Sequence, residues 1–132
     1  MIHELNIPVS VSTAQCQAVL TTATDMGEIN YWELPFRNRQ RTEGLDCISL
    51  EVRCDDAPSI TGYIDESWAL IDEHTVVNGL KLIAEGKVKI NQQLRSAILA
   101  HAGSKDDGID YCDAEMADVI LQVGLFGEIV YG

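Results

Sequence analysis

The sequence predicts an α+β fold: a single domain over residues 1–132, with a small antiparallel sheet packed against about four helices. Three observations lead there. Alternating apolar patterns gather in the first half, helical spacing takes over in the second, and 132 residues suit one hydrophobic core. No internal repeat, low-complexity tract or linker interrupts the chain, so a second domain is not expected.

Residues 2–11 alternate loosely through Ile2, Leu5, Ile7, Val9 and Val11, as an opening strand interrupted at Pro8 would. Ser12 has the hydroxyl of a helix N-cap, and Cys16, Val19, Leu20, Ala23 and Met26 follow at helical spacing up to Gly27. Residues 29–34, with Tyr31 and Trp32, read as a strand stopped by Pro35, and residues 37–44 as a polar loop. Residues 45–54 alternate cleanly and form the clearest strand. Asp55, Asp56, Ala57 and Pro58 then turn the chain into an antiparallel partner over residues 60–64. In the second half, Asp72 or Thr75 caps a helix through Val76, Val77, Leu80, Leu82 and Ile83, ended by Gly86. Asn91 caps the next, through Leu94, Ala97, Ile98 and Leu99 to Gly103. After an acidic loop at residues 104–113, Asp113 caps a last helix from Ala114 to Phe126, with Gly127 beyond it.

A hydrophobic fraction of 46% is that of a globular chain. The first residues show no basic region followed by an apolar run, so no secretion signal is expected. Nor does any stretch approach the ~20 apolar residues of a membrane helix. Cys16, Cys47, Cys54 and Cys112 contain no Cys-x-x-Cys pair and read as reduced, mostly buried side chains. Cys47 and Cys54 are seven apart on one expected strand, which points them to opposite faces and argues against a shared metal.

Charge narrows the function classes. Twenty-one acidic against nine basic residues give a net charge of −12, which argues against direct nucleic-acid binding because phosphate contacts need concentrated Lys and Arg. The same charge favours a protein partner with a basic surface, such as the nucleic-acid channel of another protein. The plainer reading of the acidity is solubility alone. No nucleotide-binding glycine loop, His-Glu-x-x-His or Gly-x-Ser-x-Gly is present, and His3, His74 and His101 share no ligand spacing. No catalytic residue, metal site or cofactor is therefore expected.

Three clusters stand out as candidate binding residues. Asp106, Asp107 and Asp110 crowd the loop before the last helix, joined by Asp113 and Glu115. Their order is wrong for an EF-hand, and acids at a helix start also suit the helix dipole. Arg37, Arg39 and Arg41 place three of the nine basic residues within five positions, close behind Tyr31, Trp32 and Phe36. Such a patch suits an anionic ligand or a base, but pairing of the arginines with the chain's own carboxylates or those of a second subunit is the favoured reading. On the last helix, Glu115, Asp118 and Gln122 form one polar stripe on an otherwise apolar surface. A buried polar stripe needs partners, and an internal network is favoured over a ligand, with a subunit contact between the two. The apolar helix also raises the expectation of a homodimer, since one core is hard pressed to cover it.

The C-terminal pattern Asp113, Asp118, Gln122, Phe126-Gly127-Glu128 and Tyr131-Gly132, together with Tyr31-Trp32 and Asn78-Gly79-Leu80, resembles a family of small uncharacterised phage and prophage proteins ending in Phe-Gly-Glu-x-x-Tyr-Gly. The likeness runs from about Val19 onward. Relatives often have paired glycines before the Tyr-Trp pair, where this chain has Glu28, Ile29 and Asn30. The resemblance implies a viral or prophage origin and a host-cytoplasm setting, and carries over no catalytic residue. By analogy with small acidic phage proteins, it implies a non-enzymatic inhibitor of a host defence protein, such as an anti-CRISPR, with Asp55, Asp56, Asp106 and Asp107 at the contact. The alternative is a module that sequesters a small molecule or nucleotide between Tyr31, Trp32 and the arginines.

Overall fold

A computed structural model describes residues 2–4, 10–25, 32, 34–53, 68–103 and 113–131. In chain order these form β1 (Ile2–Glu4), β2 (Ser10–Ser12), α1 (Thr13–Asp25), β3 (Phe36–Arg41), β4 (Cys47–Arg53), β5 (Trp68–Ile71), α2 (Glu73–Ala84), α3 (Gln92–Gly103) and α4 (Ala114–Phe126). The fold is α+β, as expected: a three-stranded antiparallel sheet in the order β3-β4-β5, a two-stranded pair β1-β2, and four helices.

The opening segment holds two strands rather than one. β1 and β2 pair antiparallel, Ile2 with Ser12 and Glu4 with Ser10, so the two arms satisfy each other's amides. Ser12 then caps α1 as expected. Its Oγ accepts from Gln15 N at 3.1 Å while Gln15 Oε1 accepts from Ser12 N at 3.0 Å.

The larger correction concerns residues 32 and 34–44, since 29–31 and 33 lie outside the described residues. Neither Trp32 nor Leu34 lies in a strand; β3 starts only after Pro35 and runs through the three arginines expected in a loop. Proline has no amide for the ladder, so pairing begins behind it, with Pro35 O accepting from Arg53 N at 3.0 Å. β3 pairs with β4 on one side, and its side chains are mostly exposed, which removes the alternation that marks a half-buried strand. Its register against β4 slips twice, between Arg37 and Gln40 and between Gln40 and Arg41. Asn38, at φ 54°, accommodates the first slip. The second leaves Ile48 without a partner on β3, so Cys47 and Leu50 both turn inward and Ile48 faces solvent at 39% exposure.

The partner strand expected over residues 60–64, with Cys54 and the turn at Asp55 and Asp56, lies outside the described residues. β5 instead pairs with β4, Val52 with Ala69 and Leu50 with Ile71.

The remaining caps follow the sequence. Asp72 accepts from His74 N while Thr75 Oγ1 accepts from Asp72 N, closing a capping box on α2. Gly86, at φ 71°, ends that helix with Lys87 N donating to Leu82 O, and Arg95 of α3 donates to the last carbonyls, Ile83 and Ala84. Asn91 Oδ1 accepts from Gln93 N and Leu94 N at the start of α3. Asp113 caps α4 and Gly127, at φ 79°, ends it.

α4 is the centre of the molecule. Every residue from Ala117 to Phe126 is buried, against α1 on one side and α2 on the other. The α2–α4 crossing is a backbone contact: a Cβ on Gly79 would run into Ile120 O, and one on Gly124 into Thr75 O. Asn78 Nδ2 donates to Gly124 O at 2.8 Å across the same crossing. The apolar surface that suggested a second subunit is thus covered within the chain.

Candidate functional site

Two groups of candidate residues can be placed: the polar stripe inside α4 and the arginine-bearing face of the sheet. Asp106, Asp107, Asp110 and Tyr31 lie outside the described residues.

The stripe is an internal network. Glu115 is exposed in the first turn of α4, whereas Asp118 and Gln122 are buried. Trp32 Nε1 donates to Asp118 Oδ1 at 2.6 Å, a buried bond that joins residues 86 apart in the chain. Gln122 Nε2 donates to Asp118 Oδ2 at 3.1 Å and to Tyr131 O at 2.8 Å. Gln122 Oε1 accepts from Val130 N at 2.8 Å and from Tyr131 N at 2.7 Å. One buried amide therefore holds the main chain of the tail as a neighbouring strand would. Tyr131 stacks on Trp32 with ring centres 5.9 Å apart, and Phe126 meets both rings. Trp32 is only 2% exposed and its indole nitrogen is engaged, so it does not offer a face to a ligand. The pocket expected from Tyr31, Trp32 and an arginine loop is corrected on both counts: the tryptophan is core and the loop is a strand.

The arginines are held largely by the protein's own acids. Arg37 Nε meets Glu51 Oε1 at 2.8 Å across the β3–β4 pair, and Asn38 Nδ2 donates to the other oxygen at 3.0 Å. The Arg37 guanidinium also lies 3.8 Å from the centre of the Trp68 ring, with that of Arg53 at 6.0 Å. Arg41 grips Asp25 at the end of α1 through two nitrogens, at 2.7 and 3.3 Å. That hydrogen bond holds the Asp25 carboxyl below its usual range and raises Arg41. Arg39 is exposed on the same strand. Trp68 and Glu51 went unnoticed as members of this face; the Trp-Ala-Leu-Ile run before the Asp72 cap was the available signal for Trp68.

Burial pushes the Cys16 thiol up to about 12, with Glu73 and Asp72 adding to it, and burial also raises Cys47. Both are poor nucleophiles near neutral pH. Among the described residues no group of three or more His, Cys, Asp or Glu could hold a metal ion, and no helix is long and apolar enough to cross a membrane. A depression of about 450 Å³ lies where Lys87, Val88 and Lys89 face Gly127, Glu128 and Ile129. Two lysines and one glutamate line it, and Lys87 is paired with Glu85 at 3.1 Å. Comparison with family models, curated proteins and solved structures found no match.

Proposed function

We propose that this protein is a non-enzymatic accessory protein of phage or prophage origin that acts in the host cytoplasm by binding a host protein with a basic surface, as an anti-CRISPR inhibitor would. The observation that supports this is the excess of acid, 21 acidic against nine basic residues and a net charge of −12. In sequence, residues 26–33 carry Glu28 and Glu33 and residues 54–67 carry Asp55, Asp56, Asp65 and Glu66, with no Lys or Arg in either segment. Among the described residues Arg37 meets Glu51 and Arg41 meets Asp25, so part of the small basic complement is already committed to the chain's own acids.

Affinity capture from the lysate of a phage-susceptible bacterium tests the reading. Raising salt from about 0.1 M to about 1 M shortens the screening length from about 10 Å to about 3 Å, and capture should fall steeply. Absence of any specific, salt-sensitive protein across several hosts would count against it. The nucleotide-sequestering alternative has lost the indole it required, since Trp32 is buried against Asp118. A flat thermal-shift response to a nucleotide library is the expected result.

A further inference from the structure

Leu45 is 68% exposed, the highest value among the exposed large hydrophobic residues that the structure describes. A single exposed leucine means little by itself. This one also sits at φ 69°, in the left-handed region where a side chain crowds the backbone, although glycine stands beside it at position 44.

The β3–β4 turn holds that conformation from several directions. Leu45 N donates to Thr42 O at 2.9 Å, and Leu45 O accepts from Arg41 Nη1 at 2.7 Å. Thr42 N donates to Asp46 O at 2.9 Å, while Thr42 Oγ1 accepts from Asp46 N at 3.1 Å. The base of the turn is fastened to α1, through Arg41 on Asp25 and through Thr21 Oγ1, which accepts from Cys47 N at 2.8 Å. The left-handed backbone at position 45 is what this three-residue hairpin loop requires, a turn followed by one left-handed residue. A leucine there rather than Gly or Asn, with its side chain offered to solvent, is what folding alone does not require. Glu43 and Asp46 flank the leucine and are exposed, whereas the charge of Arg41 is balanced by Asp25.

We infer that Leu45 is a pre-organised anchor that inserts into an apolar pocket on a protein partner, a pocket rimmed by Lys or Arg that meet Glu43 and Asp46. The inference rests on the protein-binding reading above and adds to it an apolar contact at the β3–β4 turn. An anchor already fixed in its bound shape loses little freedom on docking, and an apolar centre with a charged rim is the usual anatomy of such contacts.

The test compares the intact protein with Leu45→Gly and Leu45→Asn. Both replacements suit a left-handed backbone and remove the anchor. Each variant should melt at or above the temperature of the unaltered protein, yet capture of the salt-sensitive partner from bacterial lysate should fall about tenfold or more. With the photoreactive residue p-benzoyl-phenylalanine at position 45, the adduct should map to an apolar peptide of that partner bordered by Lys or Arg. Undiminished capture by both variants would overturn the anchor while leaving the protein-binding reading intact. An adduct to a second copy of this chain would also overturn it, by making the site a self-contact. If the unaltered protein captures no salt-sensitive partner, the underlying reading fails and the anchor with it.

Discussion

Replacing Asp118 by asparagine would exchange one carboxylate oxygen for an amide nitrogen inside a network that uses both oxygens as acceptors. If the new NH2 faces Gln122, it meets another donor, and turning Gln122 round would deprive Val130 N and Tyr131 N of their acceptor. If it faces Trp32, the indole loses its partner. Either way a buried donor is left unpaired, so Asp118→Asn should cost about 1–3 kcal/mol in chemical denaturation. Cys16 gives a second check. Its thiol is buried and pushed up to about 12, so it should stay silent to a thiol reagent near pH 8 until the protein is unfolded. The raised value also has a sign: the folded state holds the proton longer, so this contribution is intact below the ordinary value of 9.0 and is lost as pH climbs from there towards about 12. At this scale the polar stripe was legible in the sequence, because buried Asp118 and Gln122 at i, i+4 had to find partners. Trp32 as the main partner was not, since nothing local relates it to a residue 86 positions away.

Among the elements, the α2–α4 crossing has the least tolerance. Gly79 and Gly124 let the two backbones touch, and a methyl group on either would land on a carbonyl of the opposite helix. Gly124→Ala should therefore force the helices apart and cost about 3 kcal/mol, visible as a lowered urea midpoint. The helices themselves were readable because their caps are local: Ser12, Asp72, Asn91, Asp113, Gly86 and Gly127 stand where the structure uses them. The sheet was less readable. β4 alternates and was found, but β3 is an exposed strand full of arginine, and its double register slip leaves no period to detect. β5 is only four residues long, too short for a period to separate it from the helix that follows.

For the molecule as a whole, the location of α4 removes the main reason for expecting a dimer, because its apolar surface is met by α1, α2, Trp32 and the tail. A second copy now has to be argued from the surface. Light scattering at micromolar concentration should give a mass near the 14.5 kDa of one chain, and a value near twice that would reopen the question. The central place of α4 has a consequence in time as well as in space. Chains emerge from the ribosome N-terminus first, and α1, on which the sheet rests, and α2 both precede the helix they pack against. Until residues 114–126 have been made, α1 and α2, with buried residues such as Val19, Leu20, Val76 and Leu80, lack the helix that both pack against. A nascent chain halted before Ala114 should therefore show little cooperative structure by circular dichroism, bind an apolar dye and require a chaperone to stay in solution. Adding the final helix should bring the whole fold into being in one step.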